Sequence, residues 1–293
     1  MTTTDDPLAR ARRLVDELLE AARRGAIVPV RLPGQLEAIA AALSEASAGP
    51  AAAPAAPLPG KADYLREQAA FISTAVHELR IPMTSIRGYA DMLNTPSMGE
   101  LNPMQRQFLD VIRANARRME GLLTDVSDLS KLRGGTLRVS PKMDTFKNIA
   151  MRVENAMQPL AAELGRTLTF DIPQGLPLLN LDGDLLAKAL NKLVENALRY
   201  TRDDGQVTLS ASGAGDQLQV RVVDNGIGMT PDELAQLGTP YFRSENEYVR
   251  TYKGSGLGIP IAYGIIALLG GSLRVESQPG QGTVFTIVLP GMS

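Results

Sequence analysis

Apolar residues in the first half of the chain recur at alternating four- and three-residue steps. Leu65, Ala69, Ile72, Val76, Leu79, Met83, Ile86, Ala90 and Leu93 form one series, and Phe108, Ile112, Met119, Leu122, Val126 and Leu129 form a second with Asn115 in the same phase. Sustained 4–3 spacing is the seam of a coiled coil or an antiparallel bundle. A turn-rich break, Thr95-Pro96 to Asn102-Pro103, separates the two series, so the pattern predicts a helical hairpin. Two helices alone leave too little core, and a homodimer forming a four-helix bundle is the natural solution. Asn115 at a seam position is expected to fix register at some cost in stability.

From about residue 136 the pattern changes. Val207/Leu209, Leu218/Val220/Val222 and Phe285/Ile287/Leu289 alternate with a period of two, as half-buried strands do. Helical candidates lie near 145–164, 183–200 and 258–269. This predicts a separate α/β layered domain over 136–293, tethered by Lys131 to Gly135, behind a hairpin over 61–135. Residues 50–60, PAAAPAAPLPG, read as a semi-extended Ala/Pro linker. Residues 1–49 hold two amphipathic stretches, about Pro7 to Arg24 and Gly34 to Ala46, joined through Gly25, Pro29 and Pro33. That layout, with PVRLPGQLEAIAAAL opening its second helix, resembles a HAMP signal-relay module; a plain dimerising helical arm or a poorly ordered tail reads the same residues.

Composition narrows the field. Hydrophobic residues at 44% and charged residues at 21% are those of an ordinary globular chain, and 293 residues suit about two domains. A net charge of −2 offers no basic field for nucleic acid. The absence of cysteine excludes disulfides and thiolate metal sites. MTTTDDPLARARR has no apolar stretch to serve as a secretory signal. The longest charge-free run, Gly254 to Leu273, is interrupted by Pro260, Gly264, Gly270 and Gly271, and a spanning helix needs roughly 20 predominantly apolar residues. The expectation is a cytoplasmic protein with no membrane span.

The single histidine, His77, follows the seam residue Val76 and so sits at the edge of the apolar stripe. A lone histidine is usually structural. An imidazole with one free nitrogen is nevertheless a competent nucleophile toward phosphorus when a neighbour holds the other nitrogen, and Glu78 is a plausible base. Pro82 removes the N–H that would bond the Glu78 carbonyl, which predicts a bend just beyond the histidine. The run Phe71 to Arg80, FISTAVHELR, with Pro82 and then Ser85-Ile86-Arg87-Gly88-Tyr89, closely resembles the H-box of histidine kinases. That resemblance implies a phosphoacceptor at His77 on a dimerisation hairpin.

Further motifs follow. Asp224-Asn225-Gly226-Ile227-Gly228 comes after a predicted strand; its carboxylate suits an adenine amino group, and its glycines permit close backbone approach. By itself it is also an ordinary strand-ending turn. Gly254-Ser255-Gly256-Leu257-Gly258 opens an apolar helix, and free N–H groups there form an anion nest. Asn196, on a predicted helix, offers a hard oxygen suited to Mg²⁺, and Arg199 three residues on shares its face. Alone, that stretch reads as a solvated helix face. In order, these elements resemble the N-box (Glu195 to Tyr200), G1, F-box (Tyr241-Phe242-Arg243), G2 and terminal glycine box (Gly282-Thr283-Val284-Phe285) of the histidine-kinase ATP-binding domain, over about residues 64–290. The resemblance implies an α/β sandwich of the Bergerat (GHKL) type, not a Rossmann or P-loop fold. It implies ATP and Mg²⁺ as cofactors, held by Lys192, Asn196, Arg199, Tyr200, Asp224, Gly226, Gly228, Phe242, Arg243, Gly254, Gly256, Leu257, Gly258 and Thr283. Asn196 would be the metal ligand and residues 229–253 a mobile lid. It also implies transfer from phospho-His77 to an aspartate of a response-regulator receiver domain.

Two positions depart from the pattern. Lys192 stands where such N-boxes carry an Asn, with Asn191 one residue out of phase; an ammonium does not coordinate Mg²⁺ but meets a phosphate as a point charge. Autophosphorylation slower than in a Lys192→Asn variant is expected. Ile81 replaces a polar residue four positions beyond the histidine, and weak phosphatase activity is expected. The competing readings are a serine protein kinase of the same ATP fold and a nucleotide-binding scaffold that transfers nothing. No sensory domain of ordinary size fits the remaining residues, so a separate sensor protein on the N-terminal region is the expected source of input.

Overall fold

In the computed structural model of the chain, residues 59–292 are described continuously. Before them only Arg10, Arg13, Leu14, Asp16, Glu17, Glu20, Ala38 and Ala41 are described, all helical. The HAMP-like reading and most of the Ala/Pro linker therefore lie outside the described residues. The chain divides into two compact units, Met1–Leu137 and Arg138–Ser293.

The first unit holds α1 (Pro59–Leu93) and α2 (Pro103–Arg133), joined by a 3-10 turn at Pro96–Met98. Helix α1 begins two residues inside the expected linker; a proline in first position has the right φ and lacks only an N–H that no helical carbonyl would accept. It continues through Pro82 as one helix of 35 residues. The start of α2 is fixed by its sequence. Asn102 accepts from Gln105 N at 2.8 Å, the Gln105 side chain accepts from Asn102 N at 2.9 Å, and Pro103 follows, which satisfies two of the helix's orphan donors reciprocally. Lys131 and Arg133 lie in its last turn, where cations are favoured.

The helices pack antiparallel along a buried stripe of Ala69, Ile72, Val76, Leu79, Met83 and Ala90 in α1. In α2 the stripe is Leu109, Ala116, Met119, Leu123, Val126 and Leu129. Register is held by Arg87–Glu120 and Arg113–Asp91 ion pairs, each 2.6 Å. Met119, Val126 and Leu129 of the expected α2 seam are buried, whereas Leu109, Ala116 and Leu123 are buried in place of their neighbours Phe108, Asn115 and Leu122, and Phe108 stays 59% exposed. The apolar face of α2 is wider than one neighbouring helix covers, so the in-hairpin partner takes one edge and leaves the other open. Asn115 bonds the Val111 carbonyl of its own helix at 2.9 Å.

The second unit is a two-layer sandwich. Its sheet comprises β2 (Thr167–Asp171), β4 (Gln206–Ala214), β5 (Gln217–Asp224), β6 (Ser272–Ser277) and β7 (Thr283–Pro290) in the order β2-β4-β5-β7-β6. The β2–β4 pair is parallel and the others are antiparallel. A small ladder joins β1 (Lys142–Asp144) to β3 (Leu179–Leu181). Helices α3 (Phe146–Leu164), α4 (Gly183–Tyr200) and α7 (Gly258–Leu268) form the second layer, close to the expected ranges. The alternating strand residues Val207, Leu209, Leu218, Val220, Val222, Phe285, Ile287 and Leu289 are all buried. They meet Leu186, Leu190, Leu193, Val194 and Leu198 of α4 and Ile261 and Ile265 of α7 in one core. Asp182 caps α4 by accepting from Asp184 N and Leu185 N. Among the described residues no helix is long and apolar enough to cross a membrane.

Candidate functional sites

His77 lies on the outer face of α1. Its neighbours Ala75 and Val76 point into the stripe, but its own side chain is 72% exposed, with Nδ1 4.0 Å from Glu78 Oε1. The imidazole is therefore available to a reagent from solution, and the Glu78 carboxylate stands beside its Nδ1. Ile81 is exposed on the next turn.

In the sandwich, the expected box residues converge at the end of the sheet. Strand β5 delivers Asp224 into a buried position, where its Oδ1 accepts from Gly226 N at 2.8 Å and Thr283 N at 3.2 Å. Burial pushes its carboxyl up to about 6, against the pull of those two amides. Among the described residues neither bond engages Oδ2, which is left for a ligand donor. The glycines beyond Asp224 bring distant segments together. Ile227 N donates to Tyr200 O at 3.0 Å, tying the motif to the end of α4, and Ile227 O accepts from Gly280 N at 2.7 Å. Gly228 has φ 64°, and a Cβ there would collide with the Gln278 carbonyl. Ser277, which carried no motif, donates to Gly282 O at 2.8 Å, lies 3.0 Å from Thr283 Oγ1 and accepts from Met229 N at 2.9 Å.

The other side of the cluster is built from α4 and the loop before α7. Lys192, Asn196 and Arg199 succeed one another along α4 at helical spacing. The Lys192 stem reaches Gly258, its Cδ 3.6 Å from where a Cβ would stand. Leu257, at the start of α7, is buried and provides no side-chain cap, so the first amides of α7 are free to meet an anion. Gly256 has φ 69°, and a Cβ on it would come within 2.6 Å of the Tyr241 carbonyl carbon. Tyr241 is itself left-handed at φ 69° and donates its N–H to Gly256 O at 3.0 Å. Phe242 is half-buried beside it.

The expected cations are already engaged, Lys192 among them. Arg199 donates from Nη2 to Glu195 Oε1 at 2.9 Å. Arg243 donates to the carbonyls of Gly254 (3.2 Å), Val249 (2.9 Å) and Tyr252 (2.5 Å), so its guanidinium supports the loop's backbone. The segment 229–253 carries two short helices, α5 (Pro231–Gln236) and α6 (Glu247–Thr251). Among the described residues no cluster of three or more His, Cys, Asp or Glu side chains could hold a metal by itself.

A hairpin with an exposed histidine followed by an α/β sandwich defines the class, and comparison with known proteins gives the same two domains in the same order. Residues 67–135 match the profile of the His Kinase A (phospho-acceptor) domain. Residues 181–292 match that of the histidine kinase-, DNA gyrase B- and HSP90-like ATPase. The chain thus pairs the phospho-acceptor and ATPase domains of histidine kinases. It is 30% identical over 221 residues to an uncharacterized sensor-like histidine kinase of Rhizobium meliloti (strain 1021), covering 75% of this chain and 42% of that one. It is 28% identical to the histidine protein kinase DivJ of Caulobacter vibrioides, covering 76% of this chain and 37% of that one. Full-length ShkA in complex with AMPPNP superposes with a TM-score of 0.65 at 26% identity, covering 77% of this chain and 46% of ShkA. The chain thus spans less than half the length of these relatives.

Proposed function

We propose that the chain is an ATP-dependent protein-histidine kinase that phosphorylates its own His77 and passes the phosphoryl group to an aspartate of a response-regulator receiver domain. The observation that carries this reading is the exposure of His77 on a hairpin that buries Val76 and Leu79 of the same helix. In the proposed step an imidazole nitrogen attacks the γ-phosphorus, the bond to the β,γ-bridging oxygen breaks, and ADP leaves with that electron pair. Glu78 holds the second ring nitrogen and takes its proton as charge develops. The rest of the barrier is met by alignment and by neutralisation of phosphate charge.

Asp224 Oδ2 accepts from the adenine amino group, Thr283 and the glycines Gly226 and Gly228 wall the base, and Tyr200 closes the side. The amides of Gly256 and Gly258 and the ammonium of Lys192 receive phosphates, joined by the Leu257 amide when it exchanges its 3.3 Å bond to Ser255 Oγ for the ligand. Asn196 fits a magnesium ion that arrives on the nucleotide, since such an ion keeps waters and phosphate oxygens and asks the protein for only one or two hard ligands. Bound there, the metal supplies charge neutralisation on the triphosphate. Phe242 and Arg243 support the loop from beneath. The working unit is a homodimer with the hairpins paired, and because ATP is the donor the reaction belongs in the cytoplasm.

The test is incubation of the purified protein with γ-labelled ATP and Mg²⁺ beside a His77→Gln variant. Acid-labile, base-stable label on the parent and none on the variant is the expected result. Acid-stable label on both would move the phosphoacceptor to a hydroxyl. Nucleotide binding with no label on either would make the chain a scaffold.

A further inference from the structure

Helix α6 has only five residues, too few to stand by itself, and what holds it is an arginine far away in sequence. Arg166, between α3 and β2, has a side chain only 4% exposed. Its Nε and Nη2 donate to the carbonyl of Thr201, just past the end of α4, at 3.1 and 2.9 Å. Nη1 donates to Leu164 O and faces Asp203 Oδ1 at 2.8 Å. Nη2 also reaches the hydroxyls of Tyr248 (3.0 Å) and Tyr252 (3.3 Å). Tyr248 donates its own hydroxyl to the same Thr201 carbonyl at 2.9 Å. Tyr252 lies edge-on to Tyr200 at 6.3 Å and beneath the guanidinium of Arg199 at 6.0 Å. From the other direction Arg243 holds the carbonyls of Val249, Tyr252 and Gly254.

Residues 247–254 are therefore gripped by two guanidinium groups, one on the side chains and one on the backbone. A planar fork with five donors is the side chain that can serve one carbonyl and two hydroxyls at once. The segment ends at Gly254, where the phosphate loop begins. We propose that Arg166 is a positioning residue of the nucleotide site. It locks the second half of the lid onto the end of α4, so the Gly254–Gly258 loop is set before nucleotide arrives and only residues 231–246 move over it. This rests on the nucleotide reading of the site and revises the lid expected over 229–253.

Amide hydrogen exchange on the full chain without nucleotide tests the strut directly. Residues 247–254 should be protected like the end of α4, with 237–246 exchanging faster, and Arg166→Met should lose that protection. Dissociation of a fluorescent ATP analogue should quicken roughly tenfold in Arg166→Met, as expected for losing hydrogen bonds to a charged group. Arg166→Lys should not restore it. Should Arg166→Met fail to fold, the Tyr248→Phe/Tyr252→Phe double variant keeps the arginine and removes only the hydroxyls it holds, and should show the same faster release. Equal exchange of 247–254 and 237–246 in the parent, or an unchanged release rate in the variants, would overturn the proposal. A parent that binds no analogue would sink the nucleotide reading instead, while the exchange comparison would still decide the strut.

Discussion

Asp224 combines two demands that oppose each other. Burial favours the neutral acid and lifts its pKa from 3.8 to about 6, whereas an amino-group donor is best met by the carboxylate. In the nucleotide-free protein its raised pKa contributes stability that is fully present below the unfolded value near 4 and lost as pH rises through about 6. Nucleotide binding should run the other way and tighten over the same window. Titration calorimetry should find affinity at pH 5 roughly tenfold weaker than at pH 7, because about a tenth of a group with such a pKa is ionised at pH 5. An Asp224→Asn variant should lose that pH dependence, bind more weakly at pH 7 and melt higher there without ligand. A flat affinity profile in the parent would assign the base recognition to another group.

Among the elements, those carried by a long apolar period were legible in the sequence and those carried by single contacts were not. The hairpin helices, α3, α4, α7 and the inner strands all announce themselves by spacing. The α2 seam holds at Met119, Val126 and Leu129 but is off by one at Phe108 and Leu122, because Phe108 and Leu109, like Leu122 and Leu123, are adjacent apolar pairs, and spacing does not say which of a pair faces the in-chain partner. Helices α5 and α6 are too short for a period; caps start both, and α6 is held by Arg166. The Thr230–Glu233 capping box was readable as T-P-D-E, but nothing local marks Arg166, whose partners Tyr248 and Tyr252 lie more than 80 positions away. The glycine loop was legible by type, and its geometry explains why. Gly256→Ala would place a Cβ 2.6 Å from the Tyr241 backbone at φ 69°. A loss of about 1–2 kcal/mol in stability is expected, with nucleotide affinity reduced at least as much, measured by thermal melts and calorimetry.

At the scale of the whole molecule, the hairpin is unfinished by itself. Met104, Phe108 and Val111 leave α2 more than half exposed, at 64%, 59% and 54%, and such faces mark association sites. With the proposed homodimer they become core. Phe108→Asp should weaken the dimer at least tenfold in sedimentation velocity, since it asks an interface to bury a charge, while the in-hairpin stripe that does not include Phe108 keeps the helices formed. A variant dimer of undiminished affinity would place the pairing surface elsewhere.

Strand order has one more consequence, for the history of each molecule during synthesis. Strand β7 follows every other strand in the chain yet lies between β5 and β6, and its first residue supplies one of the two amides that hold Asp224. Until it docks, β5 has an open flank and the carboxylate lacks half its support. An edge of that kind is exposed to wrong pairing. The last of these strands to emerge is thus the one that both closes the sheet and completes the proposed base site, so under the proposed function a growing chain gains its affinity for nucleotide only once the sheet is whole.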